Sequence, residues 1–201
     1  MINKLDLNLG TKFYNQVISD PEFKIKKMGE WGLRDDKKFK GTKKPLPIYL
    51  TDKNKRNKYK DTVVYFFVVG KSCLYMGQTT SFTSRMSSYA SAGRTKVLDR
   101  SFIPSGDNKG GATNKKINSK VTTFKINNPN DVIKIYAAHY NIPKSVQLLP
   151  NKGEGVLNGE FNIAIPPTKV EKYFLSLFEE IEGDKPSWQS NIDDSIYKGG
   201  N

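Results

Sequence analysis

Thiol and imidazole are nearly missing from this chain, which has one cysteine and one histidine in 201 residues. A single cysteine excludes a disulfide framework and any zinc site built from cysteine pairs. A single histidine excludes catalysis that needs two imidazoles and a histidine cluster around a metal. No apolar run reaches the 18 or so residues of a membrane span, and the N-terminus lacks the basic-then-apolar layout of a signal peptide. The expected compartment is therefore the cytoplasm, with no membrane partner. Hydrophobic residues are sparse at 36%, yet 11% aromatics is too many for a disordered tail. The length suits one large domain, or one domain with an appendage.

Charge is what the chain has in excess: 33 Lys and Arg against 20 Asp and Glu, a net +13. Residues 1–60 hold 16 basic and 7 acidic side chains, and residues 61–130 hold 10 and 3. Residues 131–201 reverse the balance with 7 and 10. A basic two-thirds before an acidic last third is expected when one face meets phosphate. A merely lysine-rich, solvated surface has the same composition.

Along the chain, Phe13, Val17 and Ile18 predict a short helix after Leu9-Gly10-Thr11. The stretch Lys37-Lys38-Phe39-Lys40-Gly41-Thr42-Lys43-Lys44-Pro45 reads as an exposed basic loop, and Lys53 to Lys60 as a second basic cluster. Trp31 and Tyr49 among these charges are the mixture of rings and cations seen in nucleic-acid-binding surfaces, though a lone Trp more simply anchors the segment to the core. From Thr62 to Val69 a β-branched and aromatic run predicts a central strand. Gly70-Lys71-Ser72 turns the chain and Cys73 to Gly77 returns it as a β-hairpin, with Cys73 packed as a small hydrophobe. Thr80 or Ser81 is placed to cap a helix running to about Ala90. Residues 91–112 read as a Gly- and Ser-rich loop, and Thr113 or Asn114 is placed to cap a helix to about Val121. Asp131 to Ala138 is a third strand, with His139 after it in a structural or surface role. Thr168 caps a last helix to Ile181, with Glu171 as capping-box partner and an apolar stripe of Val170, Phe174, Leu177, Phe178 and Ile181.

The hairpin and the helix after it carry Tyr65, Tyr75, Gly77, Arg85 and, one helical turn on, Tyr89. This order resembles the GIY-YIG nuclease superfamily, whose hairpin bears two tripeptides and whose next helix bears an Arg and then a His or Tyr. The tripeptides here are Val64-Tyr65-Phe66, which keeps only its central Tyr, and Tyr75-Met76-Gly77. Glu171 matches the family's Glu on a later helix, and Asn191 the Asn beyond it. The resemblance spans residues 62–191. It implies an α+β fold with a small three-stranded antiparallel sheet flanked by helices. A basic N-terminal extension (1–60) would precede the nuclease domain (61–192), which would contain an insertion at about 139–167, and a polar tail (193–201) would follow.

It also implies roles. Arg85 would clamp the scissile phosphate, a task its fork of donors suits. Glu171 would hold one Mg²⁺ per active site, for which Mn²⁺ would substitute, and no organic cofactor is expected. Tyr65 would take the proton from water, its phenolate favoured by the metal, Arg85 or Lys71, while Tyr75 and Tyr89 position water or phosphate. Each residue also has a plain structural reading: core aromatics for the tyrosines, a surface charge for Arg85, a helix cap for Glu171.

Within the superfamily, a compact chain with basic decorations is similar to the type II restriction endonucleases. The expectation is a homodimer cutting double-stranded DNA at specific sites. The DNA contacts expected are Lys43, Lys44, Lys71, Arg94, Thr113, Asn114, Lys115 and Asn191. Gln147, Asn151, Asn158 and Asn162 of the insertion are candidates for reading base edges. A phage or mobile-element endonuclease of loose specificity, or a non-catalytic DNA-binding protein, fits the same charge.

Overall fold

Every residue of the strand Val63–Val69 is buried, so it must be covered on both faces. Val63, Tyr65, Phe67 and Val69 enter one hydrophobic cluster, while Val64, Phe66 and Val68 enter another. The period-2 geometry of a strand thereby divides the core into two layers. The computed structural model describes residues 8–50, 63–105, 111–139 and 167–189. In chain order the elements are α1 (Thr11–Phe13), which continues as a π-helical stretch Tyr14–Ile18, a 3-10 turn Pro21–Phe23, β1 (Lys26–Asp35), β2 (Thr42–Tyr49), β3 (Val63–Val69), β4 (Ser72–Thr79), α2 (Phe82–Ser91), β5 (Gly93–Lys96), β6 (Phe102–Pro104), α3 (Ala112–Asn127), β7 (Ile133–His139) and α4 (Pro167–Glu182).

The sheet has seven strands, not three, in the order β4-β3-β7-β1-β2-β5-β6, and every pairing is antiparallel. The three expected strands are its β4-β3-β7 end. The class remains α+β, but the segment expected as a basic N-terminal extension supplies β1 and β2 and so belongs to the same sheet. Residues 42–45, expected in a basic loop, lie in β2, and residues 91–112 contain β5 and β6. Both misreadings have a physical cause. Pro45 and Pro47 argue against a strand because they have no N–H to donate, yet β5 pairs with β2 only at Thr42 and Lys43. Past Lys43 that edge of β2 has no strand to donate to, so proline is tolerated there.

One cluster packs α2 and α3 on one face of the sheet, through Phe82, Met86 and Tyr89 and through Ile117 and Val121. On the other face α1 and α4 pack through Phe13 and through Val170, Phe174 and Phe178. Trp31 is 1% exposed and meets Phe67 edge-on, with ring centroids 5.6 Å apart, so it anchors β1 to the core as its isolation implied. Two helix starts differ from expectation. Gly111 precedes α3, placing Thr113 and Asn114 inside its first turn, and α4 begins at Pro167, placing Thr168 inside the helix. Proline at the first helical position loses no intrahelical bond. No helix among the described residues is long and apolar enough to cross a membrane.

The outer edge of β4 is covered. The Trp188 N–H donates to the Leu74 carbonyl at 2.7 Å, and the Gln189 Oε1 accepts from the Met76 N–H at 3.3 Å. From the other end of the chain, the Ser72 hydroxyl donates to the Leu9 carbonyl, and the Phe13 N–H donates to Glu182 Oε1 at 2.7 Å. Such cover removes a row of unpaired backbone groups from solvent.

Because β1 is part of the core sheet, Trp31→Ala should destabilise the whole fold by roughly 3–5 kcal/mol. Urea unfolding should remain a single transition at a lower midpoint. A separable extension predicts almost no change in the midpoint.

Candidate functional site

The site is built on a bulge. At the turn end of the hairpin Val69 faces Ser72 and Val68 faces Cys73, but the next pair is Phe67 with Tyr75. Leu74 is the extra residue. Were the same sequence paired without the bulge, Tyr75 would face Phe66 and point into the opposite core layer. With it Tyr75 joins Tyr65 on the α2 side, and Gly77 falls directly opposite Tyr65. A bulge used to re-aim a side chain is a recurrent device near functional sites.

Gly77 is there because Tyr65 lies on it. A Cβ at position 77 would stand 2.5 Å from the Tyr65 hydroxyl and 2.7 Å from Cζ, so the ring or the strand would have to shift. The Tyr65 hydroxyl, so placed, meets the Tyr89 hydroxyl at 2.6 Å, and the Tyr75 hydroxyl meets that of Tyr89 at 3.3 Å. Tyr89 is thus the centre of a chain of three phenols, with its rings edge-on to both partners.

Tyr89 is held in turn by its backbone. Asn118 of α3, fully buried, donates through Nδ2 to the Tyr89 carbonyl at 2.6 Å and to the Gly93 carbonyl at 3.2 Å. That ties the end of α2 to β5. Asn118 did not figure among the expected site residues; its signal is a polar side chain between Ile117 and Val121 on the buried stripe of α3.

Two charges complete the group. Arg85 lies one turn before Tyr89 on α2, and its Nη1 donates to Asn114 Oδ1 at 3.5 Å, a long bond. Glu171, in the first turns of α4, is half-buried. Burial raises its carboxyl above the ordinary value, and the Arg85 charge pulls the other way. No direct ion pair joins Arg85 to Glu171, so the two opposite charges face the cluster without neutralising each other at contact. Burial likewise pushes the hydroxyls of Tyr65, Tyr75 and Tyr89 above the usual phenol range. Arg85 opposes that rise at Tyr65 and Tyr89, and Glu171 adds to it at Tyr75 and Tyr89. All three phenols are therefore neutral near pH 7.

The fold thus brings together Tyr65, Tyr75, Arg85, Tyr89 and Glu171, with Asn114 beside Arg85. The other expected contacts are dispersed. Lys71 sits at the tip of the hairpin, six residues along each strand from the Tyr65–Gly77 pair, about 20 Å at strand rise, so it is not the cation beside Tyr65. Lys43 pairs with Asp35 at 2.8 Å and Lys44 with Asp36 at 2.9 Å. Arg94 stacks on Phe39, with Cζ 3.4 Å from the ring centroid. Thr113 and Lys115 flank Asn114 on the first turn of α3. Cys73 is buried in the α1–α4 layer, where burial pushes its thiol far above the ordinary value. Asn191, the insertion candidates Gln147, Asn151, Asn158 and Asn162, and the tail lie outside the described residues.

No protein-family model matches this chain, and no curated protein matches it. Among solved structures the chain is similar to one described as restriction endonuclease HPY188I in complex with product DNA. The two share 18% identity over 96% of this chain and 99% of that one, at a TM-score of 0.36. At that score the likeness is loose, and it lends this chain neither that enzyme's activity nor its ligand.

The close packing at Gly77 is directly testable. Gly77→Ala should destabilise the protein by about 1–3 kcal/mol through overpacking. In a Tyr65→Phe background the cost should shrink, because the nearest clashing atom is then gone. A double-mutant cycle by urea unfolding measures this coupling, and strict additivity would show that the ring is free to move aside.

Proposed function

We propose that this protein is a metal-dependent DNA endonuclease of the GIY-YIG kind, acting as a homodimeric, site-specific restriction-type enzyme on double-stranded DNA. The observation that carries the reading is the chain of three tyrosine hydroxyls flanked by one arginine and one half-buried glutamate. Hydrolysis of a phosphodiester needs a base for water, a cation on the phosphate and relief of charge on the leaving oxygen. Those three needs are matched by residue types that the fold brings together from β3, β4, α2 and α4.

Magnesium fits the donor set. Glu171 has no hydrogen-bond donor or direct cation partner among the described residues, and burial alone disfavours its charge. A single carboxylate with waters in the other positions is a common way to hold Mg²⁺. When bound, the ion supplies positive charge to the phosphate and to the leaving oxygen. Mn²⁺ would serve the same donor set.

The protein's own groups do the rest. Arg85 binds a non-bridging phosphate oxygen and holds the scissile group in place. Tyr65, having lost its own proton to solvent, takes the proton of the attacking water as the water oxygen bonds to phosphorus. The bond from phosphorus to the leaving oxygen breaks, and that oxygen takes up a proton from solvent. Tyr89 donates to the Tyr65 phenolate across their short hydrogen bond and stabilises it until the proton of water arrives. Tyr75 donates to Tyr89 and keeps it oriented. Burial opposes ionisation of Tyr65, so the substrate-free protein holds it neutral, and the base forms only as positive charge collects around it.

A second reading has one observation in its favour. The three hydroxyls satisfy one another, as ordinary core tyrosines do, and a non-catalytic DNA-binding protein would need no more of them.

Supercoiled plasmid incubated with the protein separates the readings. Discrete fragments with Mg²⁺, none with EDTA, and none with Glu171→Ala are expected, with Arg85→Ala slowing cleavage by about 10²–10³. A smear in place of bands would replace site specificity with loose preference. Salt-sensitive binding without any cleavage would leave the DNA-binding protein. With a base whose pKa is raised, the reactive phenolate fraction grows tenfold per pH unit below that pKa. The single-turnover rate should therefore climb from pH 6 to pH 9 with a log slope near ~1. A rate flat over that interval would remove Tyr65 as the base.

A further inference from the structure

Two turns meet at one end of the sheet, residues 36–41 between β1 and β2 and residues 97–101 between β5 and β6. The Val97 N–H donates to the Gly41 carbonyl at 2.9 Å, which joins them. The second turn is firmly built. The Lys96 N–H donates to the Ser101 carbonyl at 2.9 Å, and Asp99 Oδ1 accepts from the Ser101 N–H and hydroxyl at 2.9 and 2.6 Å. Arg100 takes a left-handed φ of 61° and donates through Nε to Asn127 Oδ1 at 2.8 Å. The polar groups of this turn are thus occupied in shaping it.

At its apex stands Leu98, 96% exposed, with Val97 and Phe39 beside it at 37% each. Around them Lys37, Lys38 and Lys40 are exposed, and no acidic side chain pairs with them among the described residues. An apolar side chain held in water by a preorganised turn has everything to gain from burial against a partner. The cations at its base select that partner by charge. Two copies of this tip would repel one another, whereas a polyanion would be attracted.

We propose that Leu98 is a wedge that enters a groove of duplex DNA and inserts between base pairs, while Lys37, Lys38 and Lys40 neutralise the flanking phosphates. Apolar wedges of this kind unstack a base step and kink the duplex, toward the major groove when they enter from the minor. The inference rests on the proposed action on DNA and adds how the duplex is gripped. Across the sheet β5 lies four strands from β3, about 20 Å. Along the strands Tyr65 is level with Lys26, whereas the tip lies beyond Asp35, roughly 30 Å away. The two are thus separated by roughly 35 Å, about one turn of B-DNA. One duplex can therefore reach both.

The test uses the full-length protein with Ca²⁺ in place of Mg²⁺, and duplex DNA as the probe. Leu98→Ala should bind about 10-fold more weakly, with an unchanged slope of log K against log salt, because no phosphate contact is lost. Thymines made hyperreactive to permanganate by the bound wild type should become unreactive with the variant. Replacing Lys37, Lys38 and Lys40 by alanine should instead lower the salt slope by about 2–3. An unaltered melting temperature of Leu98→Ala checks that the fold is untouched. Binding within twofold of wild type, or no permanganate signal with the wild type, would overturn the wedge. A wild-type dimer dissociating on Leu98→Ala without DNA would instead make this tip a contact between copies. If the wild type cleaves plasmid with Mg²⁺ and the variant binds normally, only the wedge falls; if the wild type neither binds nor cleaves DNA, the nuclease reading falls with it.

Discussion

The Tyr65 phenol resting on the bare Cα of Gly77 is the contact on which the candidate site depends. It requires a glycine opposite a tyrosine, and a two-residue turn after Val69 does not deliver that pairing by itself. A regular hairpin would set Tyr65 against Met76 and Phe66 against Tyr75. The bulge at Leu74 shifts β4 by one residue and corrects both pairs together. Because side chains alternate between faces, that one residue decides whether Tyr75 shares a layer with Tyr65 and Tyr89 or is buried against α4. Position 77, the bulge and the three-phenol chain are therefore one device. The edge of β4 is fastened from both ends of the chain, by Leu9 on Ser72 and by Trp188 on Leu74, as a shifted register requires.

A consequence is electrostatic. Three phenols enclosed in the layer under α2 have little water around them, and burial holds each one neutral. Two opposite charges, Arg85 and Glu171, face this enclosed chain, and both act through a medium that screens poorly. A half-buried carboxylate near a guanidinium but not bonded to it is an expensive arrangement for stability alone, since contact would compensate it better. The arrangement is reasonable if an anion and a cation are meant to come between them. That holds for the proposed phosphate and metal and for few structural purposes.

Much of this was legible from residues and some was not. The run Thr62 to Val69 is so rich in β-branched and aromatic side chains that a central strand was inescapable, and α4 shows its stripe at Val170, Phe174 and Phe178. The order Tyr65, Tyr75, Gly77, Arg85, Tyr89 pointed to one cluster, and the fold brings it together. β1 and β2 were hidden because their signals conflict. Gly29 and Gly32 weaken one strand pattern, a register shift between Lys27 and Gly29 breaks its alternation, and two prolines punctuate the other. Only the ending of β5 at the right place makes those prolines harmless, and no local pattern carries that information. Asn118 escaped notice for a related reason: its value comes from two carbonyls more than twenty residues away in the chain.

The distribution of charge ties the candidate site to the rest of the surface. Arg85 and Glu171 are opposite in sign, so in the proposed reading the site by itself draws a polyanion only weakly. The +13 of the chain must therefore act from elsewhere. Several cations are already engaged within the fold: Lys43 and Lys44 by Asp35 and Asp36, Lys96 by Asp99, and Arg94 by the ring of Phe39, over which Lys38 also lies at 5.7 Å. Lys37, Lys38 and Lys40 stand on the turn beside Leu98, roughly 35 Å and so about four Debye lengths from Tyr65 at physiological salt. Screening over that distance prevents them from tuning the phenols. They can still hold a rod-like anion long enough to span the gap. In the proposed reading, attraction and chemistry are thus divided between two ends of one sheet. The strands β7, β1 and β2 between them serve as the ruler that sets where the duplex is gripped relative to where it is cut.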